Sequence, residues 1–366
     1  MSAASRAKPA QSSSPPPAPP AGPRSIVNPA FDILAAGGLS ILIFIPLLAT
    51  GRSDLQILSP GVQAWIGTLI NLPHFMASYR MVYRDRATIR KHRWAAIGVP
   101  VILLVYMVFA VWQSATDDRW VSLLLTVQGG YLAWHYTGQA WGMVATHTFL
   151  AGAPMNRLER ILVRDGLRVL TLWQVTWFIH WFYTNGQLPL LYQAMSYAAV
   201  VPLAAGLIGF FLYRTRTGGH LPLPAFLAWA AVFVWYLVLA RDINALFWVQ
   251  NAHALQYLAF PMRVELNRAT VAAEGKASRL VTRMALWAAA LLAASVVWSQ
   301  VLPGTAMDLV GQALGERPGR MAGMMVMTFL NIHHFFTDGV LWKLRNPEVR
   351  ADLFGHVRPA AAPRGG

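Results

Sequence analysis

The sequence of 366 residues contains no cysteine. This absence excludes disulfide bonds, thiolate metal ligands, iron–sulfur clusters and covalently attached haem. Any metal that the chain binds must therefore take its ligands from histidine, aspartate, glutamate, asparagine or water.

Charged residues are also scarce, at 12% of the chain against roughly 25% in a soluble domain, while hydrophobic residues make up 56%. Apolar runs recur along the chain, each close to the ~20 residues that cross a hydrocarbon core of ~30 Å. We therefore predict an all-α, polytopic integral membrane bundle of about ten transmembrane helices. The predicted spans are centred on residues 31–50, 61–79, 94–113, 120–149, 168–183, 190–213, 222–240, 245–260, 284–302 and 322–342. The run at 245–260 is short and polar, which leaves nine spans as an alternative.

The positions of the basic residues predict the orientation of these spans. With both termini in the cytoplasm, all but five of the 30 Lys and Arg residues fall on the inner side, as the positive-inside rule expects. The five on outer loops are Arg52, Arg119, Arg241, Arg317 and Arg320. The net charge of +15 then reflects juxtamembrane clusters that attract anionic lipid headgroups, at ~1 kcal/mol per residue. We expect a multi-pass protein of a bacterial-type inner (plasma) membrane and no nucleic-acid partner.

Three regions are predicted along the chain. Residues 1–26 contain the stretch SSSPPPAPPAGP and form a disordered Ser/Pro/Ala-rich tail. Residues 27–345 form the transmembrane domain, and residues 346–366 form a C-terminal cytoplasmic tail. The loops between spans are too short to fold alone, so any chemistry is expected within the bundle or on its rim.

Histidines are unusually frequent inside the predicted spans. Ionisable side chains at membrane depth are costly and mark functional sites. Six of them lie on even-numbered spans, and most are at about 9–15 Å below the cytoplasmic edge when counted at 1.5 Å per residue. Neutral imidazole is the commonest transition-metal ligand, and a shared metal site is therefore predicted. Its candidate ligands are His74, His135, His147, His253, His333 and His334.

Other polar residues share helical faces with these histidines, at spacings of three, four or seven residues. The predicted supporting residues around the metal are Asn71, Gln139, Gln250 and Asn331. Asp338 and Tyr257 are the candidate catalytic residues. Because Asp338 follows His334 by four residues, we expect its carboxylate to accept a hydrogen bond from the second nitrogen of that imidazole.

This arrangement resembles the histidine-bearing, non-haem iron oxygenases of membranes, namely the fatty-acid desaturases and hydroxylases and the membrane carotene dioxygenases. The resemblance covers architecture and residue type only. The chain lacks the HxxxH and HxxHH boxes of the desaturases, whereas scattered single histidines are closer to the carotene dioxygenase group. The resemblance implies an oxidoreductase that holds iron, uses O₂ on a lipophilic small molecule, and is supplied by a redox partner.

Three other classes remain open on the sequence. A bis-histidine haem b protein would pair two of these histidines across facing helices. A transporter would use the polar helical faces that carry these histidines to bind a substrate or protons. A non-enzymatic scaffold is the third class, but it would not explain why such polar faces recur at one depth.

Overall fold

The computed structural model describes residues 25–50, 58–184, 186–343 and 346–357. The predicted N-terminal tail up to residue 24, and the C-terminal tail beyond residue 357, lie outside the described residues. The described part is built from helices alone, as predicted. These are α1 (Pro29–Ala49), α2 (Pro60–Ile66 continuing through Gly67–Asn71 to Leu72–Val82), α3 (Arg86–Lys91), α4 (Trp94–Gln113), α5 (Arg119–Leu150), α6 (Arg157–Arg160 continuing through Ile161–Asp165 and Gly166–Phe178 to Ile179–Tyr183), α7 (Pro189–Arg216), α8 (Leu223–Arg241), α9 (Ala245–Ala272), α10 (Ala277–Leu314), α11 (Glu316–Leu341) and α12 (Pro347–Phe354).

Within the described residues, five helices are long and apolar enough to cross a membrane: α1, α4, α7, α8 and α10. Their outer faces expose large apolar side chains that no other part of the bundle covers. Examples are Val105, Val201, Phe211, Val281 and Leu286. An apolar surface of this extent is unfavourable in water and favourable in lipid. The structure thus has the form of a helical membrane bundle.

The helices that carry the predicted histidines are long but less apolar. Helices α5, α9 and α11 contain 32, 28 and 26 residues. Their polar stripes lower the mean hydropathy, and for that reason they are not among the five. These helices and α2 pack together, so their polar faces turn away from the apolar exterior.

Residues 303–321, between the ninth and tenth predicted spans, are helical apart from one glycine. Residues Leu302–Leu314 continue α10 and pack against the first turns of α11, and Gly315 alone separates the two helices. Gly315 adopts a φ of 99°, which L side chains rarely tolerate. Gly319 makes the close approach possible, because a Cβ there would lie 2.8 Å from the Cα of Gly311.

Several helices contain a five-residue π-helical segment, where one extra residue is accommodated in the turn. Two of these segments lie in α2 (Gly67–Asn71) and α4 (Trp94–Gly98), and in α1 the corresponding segment Leu34–Gly38 is a kink at Gly37, whose φ of 139° is not helical. In each one a backbone carbonyl accepts a hydrogen bond from a buried side chain, namely from Gln256 in α1, from His74 in α2 and from His333 in α4. The π-helical segments therefore orient side chains in the interior of the bundle.

Residues assigned to the tails by sequence are part of a packed rim. Ile26 is fully buried, and the guanidinium of Arg263 donates to its carbonyl oxygen. Helix α12 packs on α9, where Asn267 Nδ2 donates to the Asp352 carbonyl at 2.9 Å. His356 Nε2 lies 2.9 Å from the Ser25 carbonyl, and burial lowers the pKa of this histidine below its usual value. The folded domain thus begins before residue 27 and extends beyond residue 345.

Candidate metal centre

Four of the six predicted histidines meet in the interior of the bundle. Helices α2, α5, α9 and α11 contribute His74, His135, His253 and His334, and each side chain is buried. The ring centroids of neighbouring pairs are 5.4 Å (His74–His253), 4.7 Å (His253–His135), 4.9 Å (His135–His334) and 4.7 Å (His334–His74). The interplanar angles of 71–89° show that the rings meet edge to face. We call these residues the four-histidine ring.

Backbone geometry fixes the orientation of His74. Its Nδ1 contacts the carbonyl oxygen of Asn71, at the end of the π-helical segment of α2. A carbonyl oxygen only accepts hydrogen bonds, so Nδ1 must carry the proton. The other nitrogen, Nε2, then carries a free lone pair, and it is buried with no hydrogen-bond partner among the described residues. This is the form of imidazole that coordinates a metal.

The distances between ring nitrogens fit a single bound ion. One ligand atom from each of His74, His135 and His253 lies within 4.8 Å of the others. The Nε2 atoms of His135 and His334 are 3.3 Å apart. Two imidazole nitrogens on one tetrahedral ion, each at about 2.0–2.1 Å from it, are separated by about 3.3–3.4 Å. The arrangement could hold a transition metal without large rearrangement.

Unsatisfied polar atoms are concentrated in the four-histidine ring. Neither nitrogen of His253 has a hydrogen-bond partner within the described residues, and Nδ1 of His334 has none. A buried polar group without a partner costs about 1–3 kcal/mol. Several such groups facing one point would destabilise the bundle unless something binds between them. Coordination of a cation satisfies one nitrogen of each imidazole.

The carboxylate of Asp338 lies beside His135 rather than beside His334. Its Oδ2 is 3.6 Å from Nδ1 of His135, which is longer than a hydrogen bond, so this contact is electrostatic. The expected hydrogen bond from His334 is not formed, because its Nδ1 has no partner in the part of the chain that the structure describes. The helical spacing placed both side chains on one face of α11 but could not show that α5 inserts His135 between them. A ring nitrogen of His135, a ring nitrogen of His334 and a carboxylate oxygen of Asp338 also lie within 4.8 Å of one another.

Tyr257 is buried one turn after His253, and its ring lies 5.4 Å from that of His74 and 5.6 Å from that of His334. Its hydroxyl is hydrogen-bonded to Ser78 Oγ and accepts a bond of 2.8 Å from Trp342 Nε1. The hydroxyl therefore bridges α2 and the end of α11.

The predicted supporting residues act in different ways. Asn71 contributes its backbone carbonyl to His74, while the side-chain amide of Asn331 donates to the Met327 carbonyl in its own helix. Gln250 is half-buried and makes no hydrogen bond to the four-histidine ring within the described residues. Gln139 Nε2 donates to the His253 carbonyl at 3.0 Å.

Gln256 was missed by the sequence analysis. It is fully buried, and its Oε1 accepts a 3.0 Å hydrogen bond from Gln139 Nε2. Its position three residues after His253 places it on the same helical face, and this spacing is the signal that could have indicated it.

Two predicted ligands lie outside the four-histidine ring. His333 stacks on Tyr79 with a centroid distance of 4.9 Å, and its Nε2 donates to the Ala95 carbonyl at 3.0 Å. His147 follows His135 by twelve residues, or about 18 Å along α5. It lines a separate cavity of about 340 Å³, together with Asp32 and Tyr213. The predicted similarity of depth therefore did not bring His147 to the same site.

A cavity of about 400 Å³ reaches the four-histidine ring between α5 and α11. Its lining includes His135, Gln139, Tyr257 and Asp338, together with Val340, Lys343 and six aromatic side chains: Tyr131, Trp134, Phe260, Phe335, Phe336 and Trp342. Glycines at 138, 142 and 339 keep it open, since a Cβ at any of them would meet nothing within 4 Å. Tyr131 and Trp134 are about half exposed on the outer surface, so the cavity opens toward the bundle exterior.

The chain matches no protein-family model, no curated protein and no solved structure.

Proposed function

We propose that this protein is an integral membrane metalloenzyme that uses O₂ to oxidise a lipophilic small molecule. The four-histidine ring holds one transition-metal ion, and the cavity between α5 and α11 holds the substrate. The observation that carries this proposal is the convergence of four buried imidazoles from four helices beside a largely aromatic cavity, with several of their nitrogens unpartnered among the described residues.

Among the metals that imidazole nitrogens suit, namely iron, copper, zinc and nickel, we propose iron, because it is the metal of the histidine-bearing membrane oxygenases that this arrangement resembles. Asp338 would lie outside the ligand set, beside Nδ1 of His135. A haem is supported less well, because imidazoles in edge-to-face contact leave no flat space for a macrocycle between them.

The bound iron would supply O₂ activation with electrons from a redox partner, and the residues of the chain hold the ion and the substrate. Its neutral imidazoles present lone pairs to the ion, while Asp338 is close enough to Nδ1 of His135 to stabilise that ring's charge and orientation. The aromatic cavity excludes water and takes up an apolar substrate directly from the lipid, through the opening beside Tyr131 and Trp134.

Metal content tests this proposal directly. Full-length protein purified in detergent should contain about one ion per chain, identified by elemental analysis. His253→Ala and His334→Ala should lose most of it. His147→Ala and His333→Ala are matched controls, because both remove a buried histidine that lies outside the four-histidine ring, and both should retain the ion. Metal content near zero in the wild type, after growth with iron, would overturn the proposal, and a Soret band would replace it with the haem alternative.

We further propose that ten helices span the membrane, with both termini in the cytoplasm. Helices α2, α5, α6, α9 and α11 would then cross in addition to the five apolar ones. Because the chain has no cysteine, each introduced cysteine is unique. A membrane-impermeant maleimide applied to intact spheroplasts should label Ala115→Cys, between α4 and α5, and leave Thr217→Cys, between α7 and α8, unlabelled until lysis. The reverse pattern would refute this orientation.

A further inference from the structure

A chain of buried amides links α1 to the cavity and fixes the orientation of each member. It begins at the Ala36 carbonyl oxygen, beside the kink of α1 at Gly37, which accepts a 2.7 Å hydrogen bond from Gln256 Nε2. A carbonyl oxygen only accepts, so the amide nitrogen of Gln256 must face Ala36 and its Oε1 must face the opposite way. The orientation of Gln256 therefore follows from the backbone.

The same reasoning extends to Gln139. Gln256 Oε1 faces Gln139 and accepts from its Nε2 at 3.0 Å, and that Nε2 also donates to the His253 carbonyl at 3.0 Å. Both acceptors require the amide nitrogen, so the two donors of Gln139 are in use. Its Oε1 is buried and has no hydrogen-bond partner within the described residues. Gln139 lines the cavity one helical turn after His135.

We propose that Gln139 Oε1 is a specificity-determining acceptor that binds an O–H group in the cavity, beside the proposed metal. An ether or ketone oxygen only accepts hydrogen bonds, as Gln139 Oε1 does, so the two oxygens would repel each other. A hydroxyl group or water satisfies it, and a site built in this way discriminates against analogues that lack the O–H. Gln256 is a positioning residue, because it holds the amide of Gln139 in this orientation.

The O–H group has two sources, and both follow from the proposed function on which this inference depends. It belongs either to a water molecule on the metal or to a hydroxyl group of the lipophilic substrate. The first source requires bound metal, whereas the second is measurable in metal-free protein, so two measurements separate them.

The first measurement uses full-length protein loaded with Co²⁺, whose visible absorption reports ionisation of bound water. An acceptor favours the better donor, which is water rather than hydroxide, so Gln139→Met should lower the pH midpoint by about one unit. The second measurement compares 1-hexadecanol with hexadecane as ligands of metal-free protein in lipid nanodiscs. The wild type should prefer the alcohol about tenfold, and Gln139→Met should abolish the preference.

Control variants keep the result interpretable. Gln128→Met removes a glutamine that also has an unpartnered Oε1 on α5 but lies outside the cavity, and it should change neither measurement. Gln256→Met should change the same quantity as Gln139→Met, although Gln139 is still present, because the amide of Gln139 is then no longer held in its orientation. A role of Gln256 in packing alone would not predict this match. A midpoint shift alone assigns the O–H to water, and a lost alcohol preference alone assigns it to substrate.

If Gln139→Met changes neither quantity while binding Co²⁺ at wild-type stoichiometry, the inference is wrong and the metal centre stands. If the wild type binds no Co²⁺, the proposed function fails, and the alcohol preference alone then decides whether Gln139 selects a hydroxyl group.

Discussion

Replacing Asp338 by Asn should weaken metal binding without removing any ligand of the four-histidine ring. Asn has almost the same shape but no charge, so the ring of His135 loses only the field of the carboxylate. Carboxylates that support a ligating histidine are worth 10–100-fold in metal affinity. The separation of 3.6 Å between Oδ2 and Nδ1 is longer than a hydrogen bond, which puts the effect at the lower end. We therefore expect a loss of about tenfold, or about 1.4 kcal/mol.

Competition with a chelator of known affinity measures this loss in detergent-purified protein. The control is Asp308→Asn, which neutralises an exposed carboxylate on α10 and should leave the affinity unchanged. His135→Ala should lower affinity further, and Asp338→Asn should add nothing in that background, because the carboxylate acts through the imidazole. Additive losses in the double variant, or wild-type affinity in Asp338→Asn, would show that the reasoning is wrong.

Three further outcomes concern the rim and the packing. Glu159→Gln keeps the capping box of α6 but removes the charge to which the Arg216 guanidinium donates at 2.6 and 2.8 Å. The free energy of unfolding, measured in SDS, should fall by about 2 kcal/mol. This is less than for breaking a fully buried ion pair, because Arg216 is partly exposed. The free energy of unfolding should fall as the pH drops through about 6.5, because burial lowers the pKa of His356 in the folded protein and the unfolded chain therefore binds the proton more readily. His356→Gln should reduce this pH dependence, and an unchanged profile in the variant would contradict the prediction. In Gly206→Ala the new Cβ would lie 2.3 Å from a buried tryptophan ring, so the thermal midpoint should drop by the equivalent of about 1–3 kcal/mol. Gly61→Ala, with nothing within 4 Å, is its control and should not destabilise the protein.

The convergence of the histidines could be anticipated because period and depth are both visible in a sequence. A helix rises 1.5 Å per residue, so the distance of a histidine from the nearest basic cluster estimates its depth. Spacings of three and four residues then indicate which side chains share its face. Depth and helical spacing together predict, without any knowledge of packing, that His74, His253 and His334 lie close together.

The remaining features depend on packing between helices, which spacing does not encode. Adjacent His333 and His334 are equivalent by depth, and only the position of α4, with its Ala95 carbonyl, takes the first of them away from the site. His147 was predicted at a similar depth but is separated from His135 by about three turns of one continuous helix. The role of Gln256 depends on the Ala36 carbonyl, which a regular α-helix would have used in its own hydrogen bonds.

The π-helical segments of α2 and α4 also have a consequence for variation in chain length. Each segment accommodates one residue more than a regular α-helix would, so the turns on either side keep their faces. Deleting one residue within Gly67–Asn71 would restore the regular repeat and leave His74 on an interior face, although the carbonyl that it contacts would be lost. A deletion in a regular stretch has no such slack and rotates the two parts of the helix relative to each other by about 100°. Single-residue deletions should thus be better tolerated at these segments than in the regular turns that carry the histidines, and the metal content of a deletion series would show this difference.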